Sequence, residues 1–291
     1  MKHLNTTARI GAIAAVVTLG LTGCVGGTGT ATPSSSTDTA GLPQAIKDAG
    51  SIRIGLSPDF PPMEYRDGDK LAGLDIELQQ KLGEVLGVKI EVVESPFDQL
   101  INSVQTGRVD LVMSGISDTL ERQKTVDFVD YFKSQGRLYT SGARAGEFTK
   151  QSDACGKSLA VSGKTDYFEQ VKALSKTVCT DQGLPEISIL ATDSGAAARL
   201  QIDQGRADLA AQGAENLAYF AKTEPGKYQP VLDALPAKPF GVLMKKGDTQ
   251  LANAVKDAFD KIIASGDYQK ILDGHGLGYG STKPEINGVK S

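Results

Sequence analysis

Short β-branched runs that alternate with amphipathic helical stretches predict an α/β fold with substantially parallel sheets. The strand ends run into loops of small or aromatic residues, and that is the edge at which open α/β sheets take ligands. Length adds a third observation. With 291 residues the chain suffices for one large domain or two of ordinary size, and the strand and helix rhythm runs through it twice, so two lobes are expected.

The first residues lie outside that rhythm. Lys2, His3 and Arg9 form a positive region, followed by IGAIAAVVTLGL (Ile10 to Leu21), an apolar run too short to span a bilayer; residues 1–23 are therefore expected to be a secretory signal. The run closes on LTGC, which resembles a bacterial lipobox. The resemblance implies that Cys24 is lipidated, becomes the mature N-terminus and tethers the protein to the outer face of the cytoplasmic membrane. Ordinary signal cleavage with Cys24 as a bystander is the alternative. Residues 25 to about 41 are Gly, Ser, Thr and Pro with almost no apolar content. Such a composition cannot bury a core, so residues 24–44 read as a flexible spacer.

From Ser51 the elements follow in order. SIRIGLS reads as a strand. LDIELQQKLGEVLG reads as a helix, with Leu74, Leu78, Leu82, Val85 and Leu86 on one face. KIEVVES is a second strand, FDQLINSVQTG a helix and DLVMSGI a third strand. After VDFVDYFKSQGRLYTSG the pattern recurs as SLAVSGKTDYFEQVKAL, EISIL and AAARLQIDQGRADLAAQG. PFGVLMKKGD supplies a late strand and TQLANAVKDAFDKIIASGDYQKILDG two helices. Residues 281–291 form a polar tail that is expected to pack loosely.

Composition narrows the function. Apolar residues make up 40%, charged residues 23%, and the net charge is −4, without the basic surplus of nucleic-acid binders, so no nucleic-acid partner is expected. Past the signal the only histidine is His275. Neither a histidine-based triad nor a histidine-ligated metal site can then be assembled, and no catalytic residue, metal or cofactor is expected. Export to an oxidising compartment favours a disulfide between Cys155 and Cys179. Two buried thiols remain the alternative at this stage.

The stretch DLVMSGISDTLERQ holds most of the functional signal. Its strand ends near Met113, Ser114 and Gly115 keep the approach open, Ser117 offers a hydroxyl, and Asp118 or Thr119 can cap a helix carrying Arg122. Backbone N–H groups facing a cleft beside a guanidinium fork would receive an anion. Taken alone, an arginine beside Glu121 is most often a solvated surface charge.

Four blocks change that weighting. GLDIELQQKLGEVL, SPDFPPMEYRDGDKLAG before it, GISDTLERQKTVDFVD after it and PFGVLMKKGD resemble, in register, bacterial extracellular solute-binding proteins of family 3, the polar amino-acid binders of ABC importers. The similarity runs from about Ser51 to Leu277. It implies a two-lobed, periplasmic-binding-protein-like fold of type II with two hinge crossovers. Residues 45–135 plus 240–280 would form one lobe and 136–239 the other, enclosing a small amino-acid-like ligand. It also implies a monomer that docks on an ABC transporter permease and is not an enzyme. Two alternatives stay open: a sensing lipoprotein that signals to a membrane partner, and an enzyme on the same fold such as a dehydratase.

By the same resemblance, Ser114, Gly115, Ser117 and Arg122 take the ligand's α-carboxylate, and Phe60 and Phe97 wall its side chain. Asp59 reaches the rim, while Lys164 and Thr165 in SGKTDYF contribute from the second lobe. GRADLAAQGAEN departs from the pattern: Gly213, preceded by Gln212, stands where many members carry an aspartate for the α-ammonium. Either Glu215, Asp59 or Asp166 supplies that charge, or the ligand lacks a free primary α-amine.

Overall fold

The computed structural model describes residues 41–290; the lipidation expected at Cys24 lies outside them. The first elements are α1 (Gln44–Ala49), β1 (Ser51–Leu56), β2 (Asp59–Phe60), β3 (Glu64–Asp67), β4 (Lys70–Ala72), α2 (Leu74–Leu86), β5 (Lys89–Glu94), α3 (Leu100–Gln105), β6 (Leu111–Val112) and β7 (Val126–Ser141). There follow β8 (Ser158–Ser162), α4 (Asp166–Leu174), β9 (Ser188–Thr192), α5 (Gly195–Asp203), β10 (Leu209–Gly213), α6 (Ala214–Thr223), β11 (Tyr228–Val231), β12 (Ala237–Lys245), α7 (Thr249–Ala264) and α8 (Asp267–Gly274).

The helix legible as LDIELQQKLGEVL forms because Leu74, Leu78, Leu82 and Leu86 make one buried stripe. Asp75 and Glu77 oppose the positive end of its dipole, and Gly87, in the left-handed conformation, ends it. Burying each leucine contributes about 2 kcal/mol.

Strands run in the order β5-β1-β6-β12-β7-β10-β8-β9, with β11 also on β7, while β2, β3 and β4 make a small separate sheet. β1 is parallel to β5 and β6, and β8 to β9 and β10. β7 joins the two halves: Val126 to Gln135 pair antiparallel with β12, whereas Gly136 to Ser141 pair with β10 and β11. Each half closes its own core. Ile52, Ile54, Leu78, Leu82, Val255 and Phe259 pack on one face of the first half, and Leu100, Val104, Phe128 and Leu243 on the other. In the second half Leu159, Val161, Val171 and Leu209 cover one face and Ala160, Ala198, Ala210 and Phe220 the other. This is a two-lobed α/β fold of type II. Cys155 and Cys179 are bonded to each other in the second lobe, where both pack with its core.

One stretch that pattern leaves unassigned is settled here, and two expectations need correction. VDFVDYFKSQGRLYTS, residues Val126–Ser141, is one 16-residue strand; it does not alternate because both its faces are covered over residues 126–132. The helix expected to carry Arg122 is a single 3-10 turn, Arg122–Lys124, with the Arg122 N–H donating to Thr119 Oγ1 at 3.2 Å. The tail is not loose. Asp130 N–H donates to Glu285 O (2.9 Å), Asn287 N–H to Phe128 O (3.0 Å) and Val289 N–H to Asp118 Oδ2 (3.2 Å). A polar segment binds here through its backbone and the Asn287 amide, which accepts from Phe128 N–H and donates to Asp127 Oδ1, both at 2.9 Å, and composition cannot report such pairings.

Candidate functional site

The strand ends and helix starts of both lobes converge on one cleft of about 700 Å³, counting the space at its mouth. The first lobe contributes Asp59 and Phe60 from β2, Phe97, Gly115, Ser117 and Arg122; Phe240 comes from β12. The second contributes Ser162 at the end of β8, Thr165, Asp166 and Tyr167 at the start of α4, Asp193, Ser194 and Gly195 at the start of α5, and Ala211 and Gln212 at the end of β10. Facing helix N-termini and the C-terminal ends of parallel strands follow directly from the doubly parallel topology.

Eight of the residues expected to hold ligand line this cleft: Asp59, Phe60, Phe97, Gly115, Ser117, Arg122, Thr165 and Gln212. Arg122 Nη1 donates to Ser117 O at 2.8 Å, which fixes the guanidinium. Burial lowers the Arg122 pKa, opposed by the charges of Asp166 and Asp118, and the group stays cationic. Across the cleft Ser117 Oγ donates to Asp166 Oδ1 at 2.8 Å. Phe60 packs edge-on against Phe240, centroids 6.0 Å apart. Gly115 has φ +53, and a Cβ there would stand 2.6 Å from the Phe60 ring, so both its conformation and its closeness to Phe60 require glycine.

Ser114, Lys164 and Gly213 do not line the cleft. Ser114 is fully buried behind it, donating to Glu64 Oε1 (2.7 Å) and accepting from Ser57 N–H (3.0 Å). Lys164 pairs instead with Asp98 and with the cleft residue Asp193, its Nζ 3.3 Å from the first and 3.9 Å from the second. Gly213 is the N-cap of α6, and the Glu215 carboxylate folds back into the space its side chain would take. Two backbone N–H groups of the 113–118 turn are used away from the cleft: Gly115 N–H donates to Asp75 Oδ2 (3.0 Å) and Asp118 N–H to Pro239 O (2.8 Å). The side chains of Ser117 and Arg122 face the cleft from this side.

Sequence reasoning did not place Ser162, Tyr167, Asp193, Ser194, Gly195, Ala211 or Phe240, and named Asp166 only as one of three acids. Ser194 carried a readable signal. It precedes GAAARL and caps α5, its Oγ accepting from Ala197 N–H at 3.1 Å. Glu215 is fully buried and accepts from Ser134 Oγ at 3.1 Å through both oxygens. Burial pushes its pKa up to about 7.

A cleft between two α/β lobes, walled by aromatic rings, three carboxylates (Asp59, Asp166, Asp193) and one guanidinium, defines a binding protein for a small charged ligand. The chain belongs to the bacterial extracellular solute-binding proteins, family 3, which residues 52–277 match. It is 29% identical over 237 residues to the arginine-binding protein ArgT of Corynebacterium glutamicum, covering 81% of this chain and 77% of that one. Among solved structures, the amino acid ABC transporter substrate-binding protein AbpA of Streptococcus pneumoniae, bound to L-arginine, superposes with a TM-score of 0.71 at 26% identity. The match covers 80% of this chain and 97% of AbpA. An ancestral amino acid-binding protein, AncCDT-1, described as a precursor of cyclohexadienyl dehydratase, matches with a TM-score of 0.70 at 29% identity, over 79% of this chain and 97% of its own.

Proposed function

We propose that the chain is the extracytoplasmic substrate-binding subunit of an ABC importer, held to the outer face of the cytoplasmic membrane by lipid on Cys24, and that its ligand is an α-amino acid with a cationic side chain. It acts as a monomer, with lobes of residues 45–135 plus 240–280 and 136–239. The observation that carries this is the Ser117–Asp166 bond beside Arg122. An α-amino acid bears its carboxylate and ammonium on the same carbon, so it needs a guanidinium and a carboxylate side by side. Arg122 takes the carboxylate, Ser117 turns its single hydroxyl proton from Asp166 to it on binding, and Asp166, so released, takes the ammonium in place of the side chain that Gly213 lacks. The remaining acids, Asp59 and Asp193, and the faces of Phe60, Phe97 and Phe240 suit a second positive charge. ArgT and AbpA, named for or bound to arginine, point the same way.

Ligand joins the two lobes and stabilises the closed form by its differential affinity for that form, which then docks on the permease. The test is a dye-based thermal shift with L-arginine, L-lysine, L-histidine, L-glutamine and Nα-acetyl-L-arginine, followed by calorimetry on any that shift. A shift with a free cationic amino acid and none with the acetylated one is expected. A shift only with the amine-blocked compound would overturn the assignment of Asp166 and of the ligand class.

A further inference from the structure

Directly behind the Ser114–Gly115 turn lie two acids that the ligand contacts do not use. Glu64 stands on β3 and Asp75 in the first turn of α2, and neither is exposed to solvent at all. Asp75 accepts from Gly115 N–H at 3.0 Å and from Tyr131 OH at 2.8 Å through each oxygen. Glu64 Oε1 accepts from Ser114 Oγ at 2.7 Å. Glu64 Oε2 is buried with no donor to serve it.

The ionisable groups that face the pair are acids as well: Asp59 from β2, Tyr131 from β7 and, toward Asp75, Glu215 from α6. Gln79 on α2 is turned to Met113 O at 3.1 Å. Burial, then the charge of Asp75, hold the Glu64 pKa well above the carboxylate range, and burial raises Asp75 to about 7. Two buried anions here would face each other without compensation, so the pair retains a proton. Placed on Glu64 Oε2 and donated to Asp75, that proton satisfies the orphaned oxygen.

We propose that Glu64 and Asp75, sharing one proton, are positioning residues for the ligand site. The inference rests on the cleft reading above. The pair holds the turn at two successive residues, Ser114 through its hydroxyl and Gly115 through its N–H. Two residues on, Ser117 presents its hydroxyl to the cleft and its carbonyl to Arg122. Glu64 also pairs with Phe60 across β2 and β3, and the Phe60 ring rests on Gly115. The carboxylate receptor and the aromatic wall therefore hang from the same proton. When it is lost, repulsion between the carboxylates releases the turn and the receptor loses its aim.

The test uses L-arginine calorimetry and the amide shift of Gly115 by NMR. Between neutral and about pH 9.5, wild-type affinity for L-arginine is expected to fall about tenfold beyond the loss that deprotonation of the ligand's own α-ammonium imposes on every variant, with the Gly115 amide shift of the ligand-free protein titrating over the same range. Glu64→Ala is expected to weaken binding about tenfold at neutral pH. Glu64→Gln, whose amide N–H stands where the proton would be, is expected to recover most of that loss, to abolish the Gly115 titration and to leave only the ligand's own share of the pH dependence of binding. A Gly115 shift that stays flat with pH, or Glu64→Gln behaving as Glu64→Ala does, would overturn the proposal. If L-arginine gives no heat with the wild type, the cationic ligand class fails, while the Gly115 titration still decides the role of the pair.

Discussion

Ser117 Oγ donates to Asp166 Oδ1 across the cleft at 2.8 Å, which puts an acid of the second lobe beside the guanidinium of the first. The Asp166 carboxylate is kept in place by Gln170 Nε2 at 2.7 Å and has Lys238 Nζ at 3.8 Å. Asp166→Asn preserves size and one acceptor but removes the charge. It is expected to weaken binding of a free amino acid by about 2–5 kcal/mol, because the ligand ammonium would be buried unpaired. Calorimetry against L-arginine reads this directly, and unchanged affinity would exclude Asp166 as the ammonium partner.

Arg122→Ala is expected to cost a similar amount, about 2–5 kcal/mol, by leaving the ligand carboxylate unpaired. Arg122→Lys should restore only part of it, since an ammonium cannot both bond Ser117 O and offer a planar fork. Equal affinities of the lysine variant and the wild type would show that the fork is not used.

Gly213 and Glu215 compete for one space. Gly213→Ala alone is expected to destabilise the fold by about 1–3 kcal/mol through overpacking. Combined with Glu215→Ala it should cost less than the sum of the two, since removing the carboxylate vacates the site. A double-mutant cycle by urea unfolding that came out additive would contradict the overlap.

Stability should fall as pH rises from about 4 to about 8. Burial raises Asp75 and Glu215 to about 7 and Asp130 to about 8, whereas unfolded carboxylates titrate near 4. In that window the folded chain holds protons that the unfolded chain releases, so deprotonation favours unfolding. The stabilising contribution is present in full below the unfolded pKa and lost through the folded one. Glu215→Gln should flatten part of the slope. Urea titrations at about pH 5 and pH 8 giving equal stability would refute this.

Reducing the Cys155–Cys179 bond, which closes a separation of 24 residues, is expected to lower stability by about 3 kcal/mol on the chain-entropy account. Urea midpoints with and without reductant measure it, and coincident curves would show that the bond constrains nothing the folded lobe does not already constrain.

Much of the fold was legible because it depends on neighbours in the chain. The leucine stripe of residues 74–86, the strand SIRIGLS and the glycine that ends α2 are local patterns with periods set by backbone geometry. The tail escaped because it is held by backbone groups and one amide side chain, Asn287, whose partners lie far off in the chain, and β7 because burial on both faces erases alternation. Arg122, Ser117 and Phe60 were recognisable by residue type in their blocks.

What the sequence by itself determined was the element order, the α/β class and the residue types available at each strand end. Only the tertiary structure decided which of them meet. Asp166 reaches Ser117 across 49 residues of chain, and Gly115 N–H turns to Asp75 across 40, leaving Ser114 behind the wall and Glu215 in the space beside Gly213. Hydrogen bonds and overlaps act over a few ångströms, and those separations are set by how two independently closed cores pack along β7 and β12, which no local pattern encodes.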